Sequence, residues 1–121
     1  MKTTILTRID FTYLHSISGG DKTFEKMVLL GAVDDIQLQI EKLEKAWNTK
    51  QGDTIRRIAH SLTSVLSIAG LEELELSSKK LDQLFSDEKF HPEGATFLKK
   101  IAADWLKAKP VLQKIILQTY Q

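Results

Sequence analysis

Apolar residues along the chain return mostly at intervals of three and four, the spacing that lines one side of an α-helix. A short first helix is expected over Phe11 to Ile17, with Asp10 as its N-cap. Gly19-Gly20 breaks it, and Asp21 is placed to open a long second helix by accepting backbone N–H bonds. That helix runs through Phe24, Met27, Val28, Gly31, Ile36, Ile40, Leu43 and Trp47 and ends near Gly52. At about 28 residues it would be about 42 Å long. Asp53 is the expected N-cap of a third helix and Gly70 its left-handed stop. A fourth follows from Leu71 through Leu74, Ser78 and Leu81 to Phe85, and the polar stretch Ser86 to His91 reads as a loop. Pro92 suits the first turn of a fifth helix, where its missing N–H is not needed. That helix carries Phe97, Ile101, Trp105, Leu112, Ile115 and Ile116 toward Tyr120, and Pro110 inside it is expected to kink or break it. Four substantial helices with short connections predict an all-α fold, an antiparallel four-helix bundle with a short additional N-terminal helix. No repeat, low-complexity tract or linker interrupts it, so residues 1–121 read as a single domain.

Composition narrows the classes of function. An apolar share of 42% in 121 residues suffices for one core. Seventeen Lys and Arg against sixteen Asp and Glu leave a formal charge of +1, which supplies no overall field for nucleic acid or anionic lipid. No apolar run is long enough to cross a bilayer, and Met1-Lys2-Thr3-Thr4 lacks the apolar stretch of a secretion signal. Without cysteine there is no disulfide, thiolate nucleophile or cysteine metal site. These features lead us to expect a cytoplasmic location. Two prolines and six glycines argue against an all-β chain.

The third helix carries the candidate chemistry. Its stripe of Ile55, Ile58, Ala59, Leu62, Val65, Leu66 and Ala69 places His60 about 155° away, facing solvent. Arg56 and Arg57 lie one turn before His60, Thr63 and Ser64 one turn after, and Ser67 two turns after. An exposed imidazole titrates near about 6.5, so much of it is neutral near pH 7, and the free ring nitrogen can attack phosphorus. Small neighbours leave room for a large partner, and the arginines can receive the charge of about −1.5 to −2 that a phosphoryl group brings. A lone exposed histidine is more often just a solvated residue, and geometry alone does not decide between the two. No base or metal-ligand set that would let the chain hydrolyse anything unaided is visible.

The stretch Arg57-Ile58-Ala59-His60-Ser61-Leu62-Thr63-Ser64, with Gly70 ten residues past the histidine, resembles the signature of the histidine-containing phosphotransfer (HPt) domain. Asp10-Phe11-Thr12-Tyr13-Leu14, Gly19-Gly20-Asp21, and Leu71, Leu74 and Leu81-Asp82 extend the likeness over most of residues 10 to 85. The resemblance implies a carrier in a two-component phosphorelay, with His60 as phosphoacceptor. Its partners would be response-regulator receiver domains and a sensor histidine kinase, hybrid or otherwise. It implies no cofactor on this chain, because the receiver supplies Mg²⁺ and most of the catalytic apparatus, so autonomous enzyme activity is not expected. Thr63 stands where the family usually has lysine, and Ser64 where it usually has glycine. A charged donor to phosphate contributes about 1.5–3 kcal/mol and a neutral one about 0.5–1.5. If the third and fourth helices are antiparallel about Gly70, Lys79 and Lys80 lie level with His60, so either lysine, or Arg56 or Arg57, could supply the missing charge.

Other constellations carry less. Glu88-Lys89-Phe90-His91 has the Glu-x-x-His spacing of carboxylate-bridged di-iron bundles, but as one copy in a loop. His15, His60 and His91 show no metal-ligand spacing, and Ser18-Gly19-Gly20-Asp21 is a turn and cap, not a phosphate loop. Trp47 and Trp105 read as core anchors. Two alternatives stand beside the carrier: a module of the same fold that docks or sequesters a receiver without carrying phosphate, and an unrelated four-helix adaptor. No heptad seam calls for an oligomer, so a monomer is expected.

Overall fold

The computed structural model describes residues 9–121, so the expectation placed on Met1-Lys2-Thr3-Thr4 lies outside the described residues. The described chain is all-α, with helices α1 (Thr12–Ser18), α2 (Lys22–Asn48), α3 (Gly52–Ile68), α4 (Glu72–Leu84) and α5 (Ala95–Thr119). A 3₁₀ turn at Pro92–Gly94 leads into α5. No helix among the described residues is long and apolar enough to cross a membrane. Helix α2 packs on α3, α3 on α4, α4 on α5, and α5 back on α2, with α1 against α2 and α3.

Spacing decides what is buried. Ile55, Ala59, Leu62 and Leu66 of α3 are fully buried, with Ile58 and Val65 half-buried at the edges of the same stripe. On α2 the core face is Leu29, Ala32, Val33, Ile36, Ile40, Leu43 and Ala46, while Phe24 and Met27 stay exposed. The apolar run along α2 therefore divides between two faces. Trp105 is buried and donates Nε1–H to Gln37 at 2.9 Å; Trp47 packs edge-on against Phe85 and Phe90.

Several boundaries differ from the expected ones. Helix α1 starts at Thr12 with Phe11 at the N-cap, and Asp10 instead accepts the Thr12 N–H at 2.9 Å from just outside. Asp21 does cap α2, accepting the Phe24 N–H at 3.0 Å. That helix ends at Asn48, earlier than expected, because Lys50 turns left-handed at φ 55°. Asp53 is not the cap of α3: Gly52 is already helical, and Asp53 sits in the first turn. Pro110 does not break α5, which continues to Thr119. Both Pro110 and Leu106, whose carbonyl loses its donor, lie on the exposed side of the helix, where water can replace the bond.

Two glycines permit close approaches of the backbone. Gly70 is left-handed at φ 73°, and a Cβ there would stand 2.1 Å from the Asp10 carbonyl oxygen. The Asp10 N–H donates to the Gly70 carbonyl at 3.0 Å, so the chain entering α1 is pinned to the α3–α4 turn. A Cβ on Gly52 would stand 2.5 Å from the Glu88 carbonyl oxygen, which is how the α4–α5 loop seats on the start of α3.

Candidate functional site

Helix α3 presents His60 to solvent because the stripe that buries Ala59 turns the next residue outward, and its side chain is 74% exposed. The imidazole is nevertheless held. Its Nδ1 lies 2.9 Å from Asp82 Oδ2 on α4. A carboxylate can only accept, so Nδ1 carries the proton and the lone pair of the neutral ring sits on Nε2. One ring nitrogen is fixed and the other has no partner among the described residues, an arrangement that suits a nucleophilic imidazole.

The α3–α4 register creates this pair. The Ser78 hydroxyl donates to the Ala59 carbonyl at 2.8 Å, and Asp82 follows one turn along α4, opposite His60. The antiparallel level expected near residue 80 is thus met, but by residues 78 and 82. Lys79 lines a shallow groove with Tyr13, Thr63, Ser64 and Ser67, beside the hydroxyl face of α3. Lys80 is exposed, about 200° around α4 from Asp82 and away from His60.

Thr63 is turned inward. Its Oγ1 lies 2.8 Å from the Ala59 carbonyl and 3.0 Å from Ser78 Oγ, so its single proton is taken within the α3–α4 contact. Ser64 is exposed and Ser67 half-buried. Neither arginine stands alone. Arg56 Nε is 3.7 Å from Asp82 Oδ1 and its Nη1 is 3.6 Å from Glu88 Oε2, while Arg57 Nη2 is 3.8 Å from Asp53 Oδ2. Arg56, Arg57, His60, Asp53 and Glu88 together line a recess of about 140 Å³. Among the described residues no group of His, Asp and Glu could hold a metal ion.

Sequence reasoning missed Asp82 and Glu88 as site residues. Asp82 carried a signal: it is one helical turn past Ser78, on the side of α4 that faces α3. Glu88 carried none, since it sits in a loop and reaches Arg56 only through the Gly52 contact.

The family model of the Hpt domain matches residues 29–108, about two thirds of the chain. The chain belongs to the Hpt domain family. Membership implies histidine phosphotransfer in two-component signalling and a phosphocarrier module as opposed to a catalyst. No curated protein matches the chain.

This Hpt domain holds a second histidine in a similar grip. His15 Nδ1 lies 2.9 Å from Glu25 Oε2, and the same carboxylate accepts from Ser18 Oγ and, at 2.8 Å, from the Tyr120 hydroxyl. Glu25 is 1% exposed. The hydrogen bond from Ser18, then those from His15 and Tyr120, hold its carboxyl at about 2, below the usual carboxylate range. Burial, and then the contact with Glu25, push the Tyr120 hydroxyl up to about 12. A third histidine, His91, contacts Asp87 Oδ1 through Nε2 at 2.8 Å, and that bond lowers the Asp87 carboxyl.

Proposed function

We propose that this Hpt domain takes a phosphoryl group onto His60 Nε2 from the aspartate of a response-regulator receiver and passes it to a second receiver. The observation that carries the reading is the Asp82 contact on Nδ1 of an otherwise exposed ring. The Nε2 lone pair forms the N–P bond as the aspartyl O–P bond breaks, and the electron pair of the broken bond leaves on the receiver's carboxylate. Positive charge develops on the imidazole and faces Asp82, which stabilises it. Donation to the next receiver is the reverse. Mg²⁺ belongs to the receiver, and the carrier needs no cofactor of its own.

The scaffold in this reading is a single domain, an antiparallel four-helix bundle acting as a monomer in the cytoplasm, with a sensor histidine kinase, hybrid or otherwise, upstream. Contacts of Gln37 with Trp105 and of Glu25 with Tyr120 support opposed directions for α2 and α5. The receiver docks across the small residues Ser64 and Ser67, helped by exposed Tyr13 on α1 and by Phe24 and Met27 on α2. Lys79, beside that groove, supplies the positive charge that Thr63 lacks.

A second reading, a module that docks a receiver without carrying phosphate, draws on the inward turn of Thr63. Incubation with a phosphorylated receiver separates the two. A carrier acquires acid-labile, alkali-stable label, and His60→Gln acquires none. Binding without label on the wild-type protein would favour the docking module. The unrelated adaptor is set aside by the family match.

A further inference from the structure

Arg56 lies at the His60 recess between two carboxylates, Asp82 and Glu88, yet it completes a hydrogen bond with neither. At 3.7 Å from Asp82 and 3.6 Å from Glu88 its guanidinium lies within ion-pair range of both carboxylates but too distant for a proper hydrogen bond. Its Nε is buried and finds no hydrogen-bond partner among the described residues. Glu88 is brought to this position by the backbone. The loop turns left-handed at Glu88, φ 64°, and its carbonyl seats on Gly52.

We propose that Glu88 is a positioning residue that sets how strongly Arg56 engages a phosphoryl group on His60. This rests on the carrier reading above. In the free protein Glu88 holds the guanidinium loosely at the rim of the recess. A phosphoryl group on Nε2 brings three acceptor oxygens and a charge of about −1.5 to −2, so Arg56 can close bonds that it lacks with the carboxylates. Glu88 opposes that exchange twice: it competes for the guanidinium, and its own charge repels the phosphoryl group. It therefore limits the lifetime of the phosphohistidine, in a site where the usual lysine is replaced by Thr63.

The test labels the full chain with phosphoramidate, which transfers its phosphoryl group to imidazole and releases ammonia. Decay of the phosphohistidine signal is then followed by ³¹P NMR. Glu88→Gln is expected to lengthen the lifetime roughly two- to fivefold at low salt, with less effect at high salt. Glu88→Asp, which keeps the charge, should decay like the wild type. In an Arg56→Gln background, which itself decays faster, the Glu88→Gln gain should fall below about twofold, since the two residues act as a unit. Equal melting temperatures across the set exclude a change of fold. Label that decays identically in wild type and Glu88→Gln overturns this proposal alone, as does an equal gain in both backgrounds. A wild-type chain that takes no label overturns the carrier reading, and this proposal with it.

Discussion

Two histidines of this Hpt domain make the same contact, Nδ1 to a carboxylate at 2.9 Å, and the surroundings give the two pairs different capacities. Glu25 is buried and accepts from three side chains, which tie α1, the start of α2 and the end of the chain to one point. A buried charge is tolerated only when its lone pairs are filled in this way, and His15 is one of the donors that fill them. Asp82 is 20% exposed and has a single imidazole at hydrogen-bond distance, with Arg56 farther off. There the carboxylate serves the histidine; at Glu25 the histidine serves the carboxylate. A histidine–carboxylate pair is thus no marker of a reactive site until the burial and the other partners of the carboxylate are known.

Exchanging the histidines should separate the pairs most sharply. On the carrier reading His60→Gln removes the proposed phosphoacceptor, so its label disappears while its melting temperature stays close to that of the wild type. His15→Gln should keep full labelling and melt a few degrees lower, because Glu25 loses one of its donors. Labelling assays and thermal melts on the two variants suffice. Loss of label in His15→Gln at normal stability would undo the distinction.

Acid should divide the pairs next. The folded Glu25 carboxyl, at about 2, lies below its ordinary value of 4.5, so between those values the unfolded chain binds more protons. Its contribution to stability is complete above about pH 4.5 and is lost as the pH falls toward 2. Tyr120 has the opposite sign: its contribution is complete below pH 10 and is lost as the pH rises through about 12. Glu25→Gln should flatten the acid limb of a melting-temperature profile. Parallel acid limbs in wild type and Glu25→Gln would show that Glu25 carries no such linkage.

The legibility of the two pairs in the sequence follows from their physics. Helix periodicity reports which residues are buried along one element, so the stripe of α3, the outward placement of His60 and the cap at Asp21 could be read directly. Chain direction about Gly70 even gave the level on α4 that meets His60. Which side chain at that level faces α3 depends on rotation of the helix, and Ser78 with Asp82 holds the contact in place of Lys79 and Lys80. The Glu25–Tyr120 bond joins residues 95 apart, and Glu88 reaches Arg56 through a backbone packed on Gly52. Tertiary approaches of that kind leave no period in the chain. Asp53 has the side chain of a cap, but α3 already begins at Gly52, against which the Glu88 backbone packs.

The finest division concerns what the carboxylate does for each ring, and Asp82→Asn probes it. Asparagine keeps the shape but removes the charge, and its amide can accept from Nδ1–H or donate to a bare Nδ1. The ring then loses its preference for the tautomer with a free Nε2, and the positive charge that develops during transfer loses its counter-charge. A hydrogen bond to a charged group contributes about 1.5–3 kcal/mol, and screening at this exposed rim favours the low end. On the carrier reading, acceptance from a receiver should therefore slow roughly tenfold, with receiver affinity unchanged because the proposed docking residues are untouched. Rapid-quench measurement of single-turnover transfer reads the rate, and a titration reads the affinity. A normal rate in Asp82→Asn would mean that Asp82 only anchors α4 to α3, as Glu25 anchors α1 and Tyr120, and would make the two pairs alike.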